Sequence, residues 1–260
     1  MFCSGELLVL LCLSGYYGGK HIGKERRIAM KKALVISGTS TIGTEMIKQM
    51  QQEYTQIIVT GRNQKKLEKL RLQFPQVQTM QLDVTKNPTD VLEANRDLWK
   101  DLDFVLICAG AGEINPTLEP EMEDQILAVN VNGCAAVLRY FVRLFWKKDA
   151  GHIAVITSLA GMLPNGDAAS YGASKAFLSH YIAAIRMQLK KRKNHVILTD
   201  IRPGLVDTPM AKGEKLFWVA PVEKAAKQIY NQLRRKKERI IVTKRWKALY
   251  VICRLLPLDH

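Results

Sequence analysis

Seven short aliphatic and β-branched runs, each separated by a longer amphipathic stretch, constrain this chain more than any other feature. The runs fall at 33–37, 57–60, 77–82, 104–108, 153–157, 196–201 and 240–243. Most are near-continuously apolar, as strands covered on both faces of a parallel sheet must be. Helical periodicity fills the intervals at 42–53, 63–74, 87–100, 120–146, 169–193 and 221–236. Such alternation predicts an α/β, doubly wound, parallel sheet of about seven strands with helices on both faces. With 260 residues, 47% of them hydrophobic, the chain can enclose a sizeable core. It shows no internal repeat or low-complexity linker, so one domain is expected over 30–243, followed by a basic tail over 244–260.

The first 29 residues do not continue that pattern. Their apolar run, Leu7–Leu13, is far short of the ~20 residues of a membrane span. No Lys or Arg precedes Lys20, against a secretory signal. The expectation is that Met30 is the biological start and that 1–29 is a non-native or disordered extension. The five cysteines are scattered without a CxxC pair, which argues against a disulfide framework and for a reducing, cytoplasmic setting. The histidines lack metal-ligand spacing, so no metal is expected.

Ser37 to Gly43, SGTSTIG, follows the first strand and opens a helix. A Rossmann fold places its phosphate-binding turn there, using free backbone N–H groups and the helix dipole. The candidate contacts are Ser37, Gly38, Thr39, Ser40, Ile42 and Gly43. With only Gly38 and Gly43 as glycines, a capped strand–turn–helix junction reads the same segment equally simply. Folds that prefer NAD carry an acid near the end of the second strand. Here Gly61-Arg62-Asn63 stands instead, and an arginine suits a 2′-phosphate, which favours NADP over NAD. The alternative is a solvated surface arginine.

Tyr171 and Lys175 sit four apart on a predicted helix and share a face. A free tyrosine, with a pKa of about 10, is a poor base near neutrality, and a neighbouring ammonium would help it. The spacing alone carries little, because Tyr16 and Lys20 repeat it in the leader. Its context carries more. Ser158 ends the fifth strand, where its hydroxyl can hydrogen-bond a carbonyl oxygen. Asn130 lies mid-helix, a poor place for asparagine unless it bonds something specific. Pro203-Gly204, then Val206 and Thr208, follow the sixth strand at the carboxyl edge of the sheet, where ligands bind.

In this order the sequence resembles the compact, single-domain branch of the short-chain dehydrogenase/reductase family, over Lys31 to Thr243. The resemblance implies a catalytic group of Asn130, Ser158, Tyr171 and Lys175. Tyr171 would exchange a proton with the substrate oxygen as hydride moves to or from the nicotinamide. Lys175 would assist Tyr171 and bind the nicotinamide ribose, Ser158 would orient the carbonyl, and Asn130 would hold a water. It further implies adenine contacts at Asp83 and Val84, cofactor contacts at Ala109 and Gly110, nicotinamide contacts at Val206 and Thr208, and a homo-oligomer. Two departures stand out. Ser37 and Thr41 replace two of the family's three turn glycines, and Ile107-Cys108-Ala109-Gly110 keeps only the last two residues of an NNAG segment. Cys108, in a buried strand by pattern, is not expected to act as a nucleophile.

The expected function is NADP(H)-dependent interconversion of a carbonyl and an alcohol on a small molecule. The alternative is an NADP-binding scaffold or sensor without turnover. Met210, Leu216, Phe217 and Trp218 after Thr208 either form a lid suited to an apolar or acyl-like substrate or pack on the core. The net charge of +15 is concentrated, with +4 in 1–32, +4 in Lys190–Lys193 and +8 in Leu233–Arg254. No recognition module or stacking platform accompanies it, which argues against nucleic acid. In the tail, Trp246, Leu249, Tyr250, Cys253 and Leu256 recur at helical spacing among Lys244, Arg245, Lys247 and Arg254. That pattern suits peripheral docking on an anionic membrane surface, or docking on the protein's own domain or a partner subunit.

Overall fold

Strands with this composition lie in the middle of a three-layer molecule, and the computed structural model, which describes residues 31–211 and 217–255, arranges them so. The strands are β1 (Lys32–Ile36), β2 (Gln56–Gly61), β3 (Val77–Gln81), β4 (Phe104–Ile107), β5 (His152–Ile156), β6 (Ile197–Pro203) and β7 (Arg239–Val242). All pair in parallel, in the order β3-β2-β1-β4-β5-β6-β7. The helices are α1 (Thr41–Met50), α2 (Gln64–Gln73), α3 (Pro88–Ala94), α4 (Pro120–Leu127), α5 (Cys134–Lys148), α6 (Ala169–Lys191), α7 (Val222–Arg234) and α8 (Lys244–Leu255).

Alternate residues of each strand feed two cores. Leu34 and Ile36 of β1 meet Leu92 of α3, Phe141 of α5 and Leu178 and Ile182 of α6 on one face. Ala33 and Val35 meet Met46 and Ile47 of α1, Leu70 of α2 and Ile229 of α7 on the other. Each such aliphatic side chain contributes roughly 1.5–3 kcal/mol on burial. The chain order reverses between β1 and β4, so the loops leaving their carboxyl ends diverge and open a crevice there.

Local chemistry changed the expected helix boundaries in two places. The helix expected over 120–146 is broken by a π turn at Ala128–Gly133 that carries Asn130. The helix expected over 87–100 stops at Ala94, where Asn95 turns back to donate to the Val91 carbonyl, and a 3₁₀ turn at Arg96–Trp99 follows. Inside the sheet, buried Asp200 accepts from Arg202 Nε at 2.7 Å and from the Thr157 hydroxyl, locking β5 to β6 beside Ser158.

The extension 1–29 lies outside the described residues, as do Leu256 and the Cys253 side chain. The aromatic stripe of the tail helix α8 docks on the chain itself. Trp246 and Tyr250 are buried against Leu159 and pack with Leu205, Ile241 and Leu249 of the same chain. The Tyr250 hydroxyl accepts from Arg239 at 2.8 Å. The aromatic stripe is therefore spent on the chain's own domain, the other alternative open from sequence. What α8 presents outward is Lys244, Arg245, Lys247, Val251 and Ile252.

His152 opens β5 with its ring edge-on to Phe104, centroids 5.1 Å apart, and its Nε2 2.8 Å from the Thr199 hydroxyl. Burial lowers its pKa to about 4. The unfolded chain therefore binds a proton that the folded one rejects, and stability is lost as pH falls from the unfolded value of about 6.5 towards 4. Between about pH 7 and pH 5 this side chain should withdraw on the order of 1–2 kcal/mol. Denaturant melts of wild type and His152→Gln at the two pH values check it, the variant showing the shallower pH dependence.

Candidate active site

Sequence places the candidate residues on five separate elements, and the fold brings them to one end of the sheet. The first is the turn after β1. Ser37 has φ of +55°, the left-handed conformation that favours glycine, at about 1–2 kcal/mol for a side-chain-bearing residue. This explains the glycine that the family pattern carries there. Thr41, at the second departure, is the exposed first residue of α1 and needs no glycine. Gly38 N–H donates to the Thr60 carbonyl, and Ser40 caps α1 by accepting from Gly43 N–H. A Cβ on Gly43 would stand 2.7 Å from the Gly38 carbonyl oxygen, so the turn closes only around a glycine. Among the described residues the backbone N–H groups of Thr39, Thr41 and Ile42 meet no acceptor, which leaves donors for an anion at the positive end of α1.

Arg62 leaves the end of β2 with an exposed side chain, while its carbonyl accepts from Gln81. Asp83 is held below the usual carboxylate range by the Thr85 N–H, with the Thr85 hydroxyl, Lys86 and Arg62 adding to the effect. Val84 and Ala109 are buried. Burial pushes the Cys108 thiol up to about 12 and Cys134 to about 11, leaving neither as a thiolate near neutrality.

Lys175 is the most constrained group of the site. Only 3% of it is exposed, and Nζ donates to the Ile156 carbonyl at 3.3 Å. No carboxylate pairs with it among the described residues, so two of its three N–H groups stay free for a ligand. Space for it exists because residue 110 is glycine, whose Cβ position lies 3.0 Å from Nζ. Tyr171 lies one turn earlier, its ring centroid 5.7 Å from Nζ. Asn130, fully buried in the π turn, donates from Nδ2 to the Ala111 carbonyl at 2.8 Å and to the Ser174 hydroxyl at 2.9 Å, and accepts from Ala111 N–H. Ser174 in turn donates to the Tyr171 carbonyl. Both Nδ2 hydrogens are thus used to join the segment after β4 to α6, and a water could be held only at the Asn130 oxygens. Ser158 caps the 3₁₀ turn Leu159–Gly161 by accepting from Ala160 N–H, which leaves its own O–H free to donate.

Two positions escape the sequence reading, Ser174 and Gly112, and it left open what Trp246 and Trp218 pack against. Ser174 ties Asn130 to the Tyr171 backbone, and Gly112 lies under the Tyr171 ring, a Cβ there falling 2.7 Å from the ring and 3.3 Å from Met210 Sδ. Trp246 covers Gly204, where a Cβ would fall 2.3 Å from the indole, and its Nε1 donates to the Trp218 carbonyl at 3.2 Å. Trp218 itself, with Phe217, forms an aromatic trio with Trp246. The Pro203–Gly204 turn and the return of the following loop, where Val206 pairs with Ala220, are therefore both fastened by the tail helix. Gly112 is legible only as a glycine, Gly204 was read as a cofactor contact and not as a seat for the tail, and Trp246 carried a signal that pointed equally well to a membrane.

Residues 31–217 match the short chain dehydrogenase family, and the chain belongs to that family of oxidoreductases. An uncharacterized oxidoreductase of Staphylococcus epidermidis is 31% identical over 72% of this chain and 83% of its own length. An NADP-dependent 3-hydroxy acid dehydrogenase of Salmonella typhi is 31% identical over 66% of this chain and 71% of its own length. The crystal structure of a short chain dehydrogenase from Burkholderia cenocepacia, in complex with NADP, shares the fold with a TM-score of 0.75 at 21% identity, covering 89% of this chain and 94% of that one.

Adding one methyl group at Gly112 should push the Tyr171 ring aside without touching the turn after β1. Gly112→Ala is expected to keep the melting temperature within a few degrees and to keep dinucleotide affinity, while turnover of a carbonyl substrate falls at least tenfold. Calorimetric titration and steady-state kinetics on the same preparation measure both.

Proposed function

We propose that the protein is an NADP(H)-dependent oxidoreductase that interconverts a carbonyl and an alcohol, with Tyr171 as the proton donor or acceptor. The observation that carries this reading is Lys175, a buried ammonium with free donors, one turn from Tyr171 and beside Gly110. A group that costs this much to bury is retained where a ligand completes its hydrogen bonds. The residues present fit a dinucleotide. Ser37–Gly43, with the free N–H groups of Thr39 and Ile42, would take the diphosphate, and Arg62 a 2′-phosphate, which favours NADP over NAD. Asp83 and Val84 would contact the adenine. The Ala109–Gly110 backbone, Lys175, Pro203–Gly204, Val206 and Thr208 would hold the nicotinamide half. When bound, the nicotinamide supplies or accepts the hydride.

The chain's own residues do the remaining work. Ser158 donates its free O–H to the substrate carbonyl oxygen and fixes its position. In reduction Tyr171 delivers its phenolic proton to that oxygen, and in oxidation it takes the proton back. Lys175 stabilises the negative charge that develops on the phenolic oxygen, and Asn130 keeps the segment after β4 in register with α6. Met210 beside Tyr171, with exposed Phe217 and Trp218 farther along the loop, offers apolar surface next to the reacting carbonyl. This supports an apolar or acyl-like substrate, as does the 3-hydroxy acid named for the Salmonella relative.

A panel of 3-oxo acids, 3-oxo esters and simple ketones, assayed with NADPH and with NADH, tests the proposal. Turnover with NADPH should exceed that with NADH at least tenfold, and Tyr171→Phe should lose at least 100-fold in turnover with NADPH affinity preserved. NADPH binding without turnover on any panel member in the wild type would favour a non-catalytic sensor instead.

A further inference from the structure

A second cleft, apart from the Tyr171 site, opens where the first turns of α7 and α8 come together. It encloses about 450 Å³. Three cations converge on it, Lys224 from the first turn of α7 and Lys244 and Arg245 from the first two positions of α8. Gln228, one turn beyond Lys224, and Thr243 add hydrogen-bonding groups, and Trp218 supplies an apolar wall. Among the described residues no carboxylate lines the cleft. Among the described residues none of the three cations takes part in an ion pair.

Some cations elsewhere are neutralised: Lys190 and Arg186 share Glu238, and Arg202 is matched by Asp200. Three unpaired like charges gathered on one concavity repel one another until an anion enters, which makes the cleft a field trap for negative charge. Two helix starts add their partial positive charge. α7 begins after Pro221 with no side-chain cap, so its first N–H groups are also unsatisfied. Two lysines, an arginine, an amide and a hydroxyl around one cavity match the several acceptor oxygens of a phosphoryl group.

We propose that this cleft binds a phosphate group. One wall is the segment 218–221, which returns from the loop after β6 and is held by Trp246 and by the Val206–Ala220 pairing. Phosphate binding would join α7, α8 and the segment 218–221. Two sources of the phosphate share this chemistry, a soluble phosphorylated molecule and the headgroup of an anionic lipid reached through the outward face of α8.

The experiment titrates inorganic pyrophosphate into the wild-type chain by calorimetry at constant ionic strength. In parallel, vesicles of phosphatidylcholine with and without phosphatidylglycerol are sedimented with the protein. The variant Lys224→Gln/Lys244→Gln/Arg245→Gln should weaken one pyrophosphate site at least tenfold. The charge-matched Lys65→Gln/Lys69→Gln/Arg71→Gln on exposed α2 should leave it unchanged. Pyrophosphate binding lost in the triple variant supports the site, and phosphatidylglycerol-dependent sedimentation lost in the same variant assigns its source to lipid. Identical pyrophosphate isotherms for wild type and triple variant would overturn the proposal, as would an equal loss in the α2 control. If the triple variant fails to fold, as judged by circular dichroism, the single variants Lys224→Gln and Arg245→Gln carry the same comparison, with at least a threefold weakening expected from each and no change overturning the site.

Discussion

A buried ammonium with no counter-charge among the described residues organises the end of the sheet where the site forms. Desolvating an unpaired lysine costs several kcal/mol, so its surroundings must be arranged to hold it. Lys175 is held by one carbonyl at the end of β5 and by the room that Gly110 leaves at the end of β4. Asn130 then fixes the residue after Gly110 to Ser174, next to Lys175 on α6. Three elements distant in sequence are thereby brought into register around a single charged atom. The strand order makes this possible, because β1, β4 and β5 are neighbours and their carboxyl ends open on the same crevice.

A second constraint acts from the far end of the chain. Trp246 sits on Gly204 and reaches the Trp218 carbonyl, so one side chain of α8 fixes both the turn after β6 and the return of the loop that follows. It also packs with Leu159, the residue after Ser158. The tail is thus part of the fold's active end. Its basic residues, left outward once the aromatic face is buried, include two of the three that line the phosphate cleft. The charge concentrated in the tail and the aromatic stripe beside it serve different purposes on opposite faces of one helix.

The sheet and its order of helices were legible because burial on both faces leaves near-continuous apolar runs, and β1, β4 and β5 show them plainly. The edge strand β3 keeps only Val77 fully buried and was legible by its place in the alternation rather than its composition. In the site, Tyr171, Lys175, Ser158 and Asn130 were marked by order and spacing, and the structure gathers them at one end of the sheet. Ser174 and Gly112 were not marked, because each acts through a contact between segments far apart in sequence. The helix interruption at Asn130 was hidden as well, since a π turn changes hydrogen-bond partners without changing the apolar period. Trp246 shows the limit clearly: a basic amphipathic helix carries the same pattern whether its apolar face meets lipid or its own domain.

If Lys175 is buried for a ligand's sake, its charge should cost the empty protein stability and give it affinity. The direct measurement is the pair of melting temperature and NADPH dissociation constant for wild type and Lys175→Met. The variant should melt at the same temperature or higher without ligand, because an uncompensated buried charge is gone. It should bind NADPH at least tenfold more weakly, a loss of about 1.4 kcal/mol or more. A variant that melts well below wild type yet binds NADPH with unchanged affinity would show that Lys175 serves the fold alone, and would contradict the account.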